Sequence, residues 1–269
     1  MGHKTMAKQG DIIQKLAQTQ EERLLLARVL EKADICRERC YPTYTRFFDL
    51  HEAELARRLL EAVGERGIFW GGYDGAERTV LAFLPDWMEE IPQEGEDCPL
   101  AGIRCLRHKS DVLTHRDYLG SLMGLGVRRD GIGDILVGDH GADVVVTREL
   151  APYLLMHYGR AGRKRLEVSE ISLAALMVPE EKVSYIRDTV ASMRLDAVTA
   201  AMFRLPRAKA ADAVRAGRVF LNQMECLRPD REVTVHDRIT LRGMGRGEVD
   251  GILGESKKGR IMISLKRFG

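Results

Sequence analysis

The 269-residue sequence predicts an α+β protein made of a helical N-terminal region, a sheet domain and a basic C-terminal domain. Three observations carry this reading. Apolar residues recur at helical spacing through the first sixty positions; a strand, helix, strand, strand, helix, strand succession fills the middle; and the charge changes sign at Met193. A chain of this length can bury two or three separate cores. Its apolar and charged fractions, 45% and 30%, are those of globular proteins, which sets aside fibrous, collagen-like and wholly disordered classes.

Taken in order, residues 1–66 read as helical. Ile12, Ile13, Leu16, Leu24, Leu25, Val29 and Leu30 lie at helical spacing over 11–32, and Leu50, Leu55, Leu59 and Leu60 repeat the pattern over 49–63. Residues 67–178 then read as a ferredoxin-like, split βαβ domain with a preceding hairpin. GIFWGGY and RTVLAFLP are β-rich runs around a turn at Asp74 and Gly75. LAGIRCLRH follows as a strand, and HRDYLGSLMGLG as a helix with Thr114 and Asp117 spaced for a capping box. DILVGD and ADVVVT make a hairpin, RELAPYLLMHYG a helix, and KRLEVSEI the last strand. Residues 179–192, charged and with one apolar stretch, read as a linker or a bridging strand. Residues 193–269 form the basic domain and its C-terminal hairpin.

From Met193 onward sixteen Lys and Arg face nine Asp and Glu, a surplus of seven positive charges in a chain whose net charge is +2. Such asymmetry suggests a module that meets an acidic polymer. No 18-residue apolar run spans a bilayer and MGHKTMAKQGD has no apolar leader core, so the expected location is cytoplasmic, with no membrane partner. Five cysteines, an odd number, argue against a disulfide framework; Cys98, Cys105 and His108 lack paired metal-ligand spacing, and no metal or cofactor is expected.

RLDAVTAAMFRLPRAKAADAVRAGRVFLN, residues 194–222, reads as two short helices and a strand. Leu195, Val198, Ala201 and Met202 make an apolar stripe, Pro206 suits the start of a second helix, and Gly217 suits its end. Arg194, Arg204, Arg207, Lys209, Arg215 and Arg218 fall near the turn or on the face the stripe leaves free, a cationic patch the size of a few phosphates that ends at Asn222. Arg128 and Arg129, in the turn GLGVRRDGIGD, and Lys257 and Lys258, in GESKKGR, are candidate additional RNA contacts. That turn follows a helix and precedes a strand, the reverse of a nucleotide-binding glycine loop.

A basic helix pair ending in AGRVFLN resembles the alpha-L RNA-binding motif, or S-four domain, with departures at Pro206, Ala208 and Gln223. LTHRDYLGSLMGLGVRRDGIGDILV and the closing GESKKGRIMISLKRFG extend the resemblance over nearly the whole chain, to the YlmH family of bacterial RNA-binding proteins. The resemblance implies a ferredoxin-like RNA-binding domain followed by an S-four domain. It also implies a non-enzymatic role in ribosome-associated quality control: binding rRNA and peptidyl-tRNA on the ribosomal large subunit and supporting tailing of the stalled chain. Partners are then rRNA, tRNA and the large subunit, with no small-molecule substrate and the chain acting as a monomer. Two alternatives remain open. Arg194, Leu195 and Asp196 match the catalytic triplet of pseudouridine synthases, which would make the chain an RNA-modifying enzyme, and the family's gene neighbourhood suggests a cell-division accessory role.

Overall fold

The computed structural model describes residues 2–180, 183–256 and 259–268, and the chain divides after Pro179 into two units. The first opens with α1 (Gly2–Leu16), α2 (Gln20–Arg39) and α3 (Leu50–Val63). The apolar run over 11–32 is split between α1 and α2. The Thr19 hydroxyl accepts the Glu22 amide at 3.1 Å while the Glu22 carboxylate accepts the Thr19 amide at 3.2 Å, a reciprocal cap that starts a new helix. Asp49 and Glu52 start α3 in the same way. The region is not wholly helical. β1 (Thr43–Tyr44), too short to show any period, joins β2 (Ile68–Trp70) and β3 (Val80–Phe83) in an antiparallel sheet of order β1-β3-β2, in which β2 and β3 are the expected hairpin.

The second sheet of this unit contains β4 (Leu100–Arg107), β5 (Ile132–Gly138), β6 (Gly141–Thr147), β7 (Arg160–Ala161) and β8 (Lys164–Ile171), with α4 (His115–Gly124) after β4 and α5 (Ala151–His157) after β6. Its order is β5-β6-β4-β8-β7 with every neighbour antiparallel, so α4 joins β4 to β5 across β6, and α5 leads from β6 to the β7–β8 hairpin on the far side of β4. Asp117 starts α4 by accepting both the Thr114 amide and the Thr114 hydroxyl at 2.7 Å. Tyr118, Leu122 and Leu154 from the helices close one face over Ala101, Ile103, Val144 and Val146. The opposite face is closed too, because Leu100 and Val145 share a core with Phe47, Val80, Cys98 and Leu173. That shared core is why no boundary falls at 66/67, where the sequence places one, and why the unit runs unbroken to Pro179.

The second unit, Glu180–Gly269, holds β9 (Val183–Val190), α6 (Leu195–Phe203), α7 (Arg207–Arg215), β10 (Val219–Leu221), β11 (Met224–Glu225), β12 (Arg238–Leu241), β13 (Gly245–Glu255) and β14 (Ile261–Phe268). The sheet order is β11-β10-β12-β13-β14-β9, antiparallel throughout. The segment over 179–192, read as a linker or a bridging strand, is a strand for most of its length, paired with β14 from Val183↔Phe268 to Val190↔Ile261. As an edge strand it carries Arg187 and Asp188, charges that hide the alternation in the sequence. Leu195, Val198 and Met202 of α6 and Val214 of α7 pack on Val219, Ile239, Val249 and Ile263, so both helices cover one face of this sheet.

Asp143 is fully buried on β6, directly across from Arg104 on β4. It accepts Arg104 Nε at 2.8 Å and Nη2 at 2.7 Å, and the Met177 amide at 2.8 Å. Burial works to raise its pKa, but these bonds outweigh it and hold the carboxyl below the ordinary aspartate range. Removing the carboxylate strands a mostly buried guanidinium. Asp143→Ala is expected to cost the first unit about 3 kcal/mol. A urea titration followed by tryptophan emission checks this, since both tryptophans, Trp70 and Trp87, lie in that unit.

Candidate nucleic-acid interface

The start of α6 is closed by its own chain. The Leu195 amide donates to the Arg231 carbonyl at 2.8 Å and the Asp196 amide to the Pro229 carbonyl at 3.0 Å, so these two helix-end donors are already satisfied. Asp196, in the first turn, has a side chain 7% exposed and lies between two guanidiniums. Arg207, at the start of α7, donates Nε at 3.1 Å and Nη2 at 3.3 Å, one to each carboxylate oxygen, and Arg194 donates Nε at 3.3 Å. Burial alone would raise the Asp196 pKa; the bonds from Arg207 and Arg194, and their charges, bring it below the ordinary value of 3.8. A lowered acid stabilises the fold above that value and loses its contribution as pH falls through the folded pKa. At neutral pH the clamp is fully formed. It ties the start of α7 to the start of α6.

Both helices end in a left-handed turn. Gly217 (φ +66°) ends α7, with its amide on the Val214 carbonyl and the Arg218 amide on the Ala213 carbonyl, both at 3.0 Å. Arg204 (φ +54°) ends α6, with the Leu205 amide on the Ala200 carbonyl at 2.9 Å. Glycine enters that conformation without strain, whereas a side chain there costs about 1 kcal/mol or more. A strained arginine where glycine would fit points to a use for its charge. Each helix thus places a cation at its negative end, Arg204 and Arg218, both exposed.

The predicted cations separate into held and free. Arg194 and Arg207 are held by Asp196, though each side chain stays over 40% exposed, and Arg215 is paired with Asp212 at 3.1 Å. Arg204, Lys209 and Arg218 have no carboxylate partner among the described residues. Asn222 is occupied within the chain: its Nδ2 donates to Asp237 at 2.7 Å and its Oδ1 accepts the Arg238 amide at 2.8 Å, which fixes the β10–β11 turn. Lys257 and Lys258 lie outside the described residues.

The turn before β5 differs from expectation. Arg128 projects, its side chain 80% exposed and paired with Asp130 at 2.8 Å. Arg129 turns inward and donates to the Ile132 and Gly133 carbonyls at 2.7 and 3.1 Å. Burial, reinforced by the Arg78 charge, lowers its pKa to about 10. Asp134 accepts the Tyr73 hydroxyl at 2.8 Å and the Glu77 amide at 2.7 Å, and a Cβ on Gly133 would lie 2.7 Å from the Phe47 ring. GLGVRRDGIGD is therefore a packing motif that joins the segments around Phe47 and Tyr73 to the unit's main sheet. The acid that holds Arg207 in place lies eleven residues away along the chain, and the groups that hold Arg129 are backbone carbonyls, so no sequence periodicity reveals either pairing. No group of three or more His, Cys, Asp or Glu among the described residues could hold a metal.

Replacing Arg204 by glycine relieves the strain and adds backbone freedom to the unfolded chain, with the first effect larger. Arg204→Gly is expected to stabilise the second unit by about 0.5–1 kcal/mol. Urea unfolding followed by far-ultraviolet circular dichroism measures it.

Residues 105–175 match the family model described as "Putative RNA-binding domain in YlmH". Across 249 residues, 92% of this chain and 95% of the relative, the sequence is 30% identical to ribosome-associated protein quality control protein P2 of Bacillus subtilis (strain 168). The solved structure of cell division protein ylmH from Streptococcus pneumoniae superposes with a TM-score of 0.50 at 18% identity, over 60% of this chain and 98% of that one, a likeness of fold. With a relative this similar over nearly the full length of both chains, and a family model matching the sheet domain, the chain belongs to the YlmH family.

Proposed function

We propose that the chain is a cytoplasmic, non-enzymatic binder of structured RNA, acting as a monomer. Its ligands on this reading are rRNA and peptidyl-tRNA on the ribosomal large subunit, in ribosome-associated quality control. The main sheet of the first unit serves as a ferredoxin-like RNA-binding domain and the second unit as an S-four domain. The observation that carries the reading is a trio of cations with no carboxylate partner among the described residues, Arg204, Lys209 and Arg218, presented around two short helices whose geometry the Asp196 clamp fixes. Cations arranged this way meet phosphates, which give register and affinity without reading bases, so recognition rests on RNA shape. The relative's role in quality control of ribosome-associated proteins supports the ribosome as the place of action. The enzymatic alternative would use Asp196 as a nucleophile or base, yet both its oxygens are bonded to arginines and its side chain is 7% exposed.

The test is the salt dependence of binding to structured RNA. The triple variant Arg204→Ala, Lys209→Ala, Arg218→Ala is expected to bind several unrelated hairpin RNAs more weakly by a similar factor. Its log–log salt slope should be shallower by about 0.9 for each cation that met a phosphate. An unchanged slope would remove the helix pair from the interface.

A further inference from the structure

The two main sheets differ in what covers them. Leu100 and Val145 of the first unit's sheet are buried under Phe47 and Leu173 on the face turned away from α4 and α5. The sheet of the second unit has helices on one face only, and the other face presents aromatic rings to solvent. Strand register places these side chains. Phe220, Thr240, Arg246, Phe268 and Val183 are successive cross-strand neighbours, so they form one row across β10, β12, β13, β14 and β9. Arg238, Glu248, Lys266 and Tyr185 form the next row. The alternate positions Ile239, Val249 and Leu265 are the buried ones, which fixes both rows on the outer face.

Each ring has a cation over it. The Arg242 guanidinium lies 4.9 Å from the Phe220 centroid, Arg246 lies 5.6 Å from Phe268, and the Lys266 ammonium lies 6.0 Å from Tyr185. Tyr185 is 65% exposed, and it sits diagonal to Phe268 on the neighbouring strand, about 7–8 Å away at standard sheet geometry. Phe220 is three strands from Phe268, about 14 Å at standard strand spacing. Cations also outnumber carboxylates on this face: Arg187, Arg238, Arg242, Arg246 and Lys266 against Glu225, Glu248 and Asp250.

We infer that this outer sheet face is a second nucleic-acid site, one that takes unpaired RNA bases and is separate from the helix-pair surface. Rings that bases can stack on, interleaved with cations that follow the backbone, make a platform for single strands. A guanidinium lying on a ring extends that platform, since its outer plane can stack on a base in turn. The inference takes its ligand class from the RNA-binding reading above. It adds a division of labour within one unit, with phosphates of structured RNA on the helices and splayed bases on the sheet.

The experiment measures fluorescence anisotropy of the full chain with two probes, a ten-nucleotide oligouridine and a blunt RNA hairpin. The variants are Tyr185→Ala, Tyr185→Ala with Phe268→Leu, and the triple helix variant. Tyr185 is exposed on an edge strand, so its single replacement leaves the fold intact. The aromatic variants are expected to lose at least about 5-fold in oligouridine affinity and less than twofold for the hairpin, because stacking on one ring is worth about that much. The helix variant should lose mainly hairpin affinity. Ultraviolet crosslinking of oligouridine should mark peptides from 183–190 and 261–268. Oligouridine binding unchanged in both aromatic variants, or crosslinks confined to 204–218, would overturn the inference. Wild-type binding to the hairpin with none to oligouridine would overturn it and leave the RNA-binding reading standing; binding to neither would overturn both.

Discussion

The cationic surface depends on a single carboxylate. Asp196 is mostly buried beside the apolar residues of α6, and burying that charge is tolerable only because two guanidiniums share it. Since one of them, Arg207, opens the second helix, the acid sets where α7 begins relative to α6 and hence where Lys209 and Arg218 point. Asp196 holds two arginines of the helix pair, and Asp212 holds a third, Arg215. Arg194 and Arg207 build the scaffold, with part of each side chain left in water. Arg204, Lys209 and Arg218 are left to act on something else.

The first unit solves the opposite problem. An antiparallel sheet can leave one face open to water, but here the N-terminal sheet and the segment around Leu173 close the second face of β4 and β6. The buried Arg104–Asp143 pair then holds that segment down, because Arg104 also donates to the Ala175 carbonyl at 2.7 Å. The covered sheet face is closed to RNA, while Arg128 in the turn before β5 stands exposed. The sheet of the second unit keeps its outer face open.

Much of the layout was legible in the sequence because local chemistry and tertiary need agree. Thr114 with Asp117, the hairpin of β2 and β3, Gly217 at the end of α7 and the strand succession of β4 to β8 follow from spacing and turn residues alone. The failures have a common cause, which is that long-range partners decide what a local pattern cannot. Arg128 and Arg129 are identical neighbours in sequence, yet carbonyls at Ile132 and Gly133 draw one inward. β9 reads as either a linker or a bridging strand because an edge strand carries charge on both faces, and only β14 decides between them. Asn222 looks like a contact residue from its sequence position, and only the fold shows that its side chain also bolts a turn. The aromatic row was invisible for the same reason, since Phe220 and Phe268 are 48 positions apart and come into one row of one face only through strand register.

The most direct measurement is sedimentation of a cell lysate through sucrose gradients at low and at raised salt, with the protein followed by immunoblot. Co-migration with free large ribosomal subunits at low salt, shifting to the top of the gradient as salt rises, is the expected result, because phosphate contacts release counterions. Intact protein at the top of the gradient under both conditions would contradict binding to the large subunit through the cations of the helix pair.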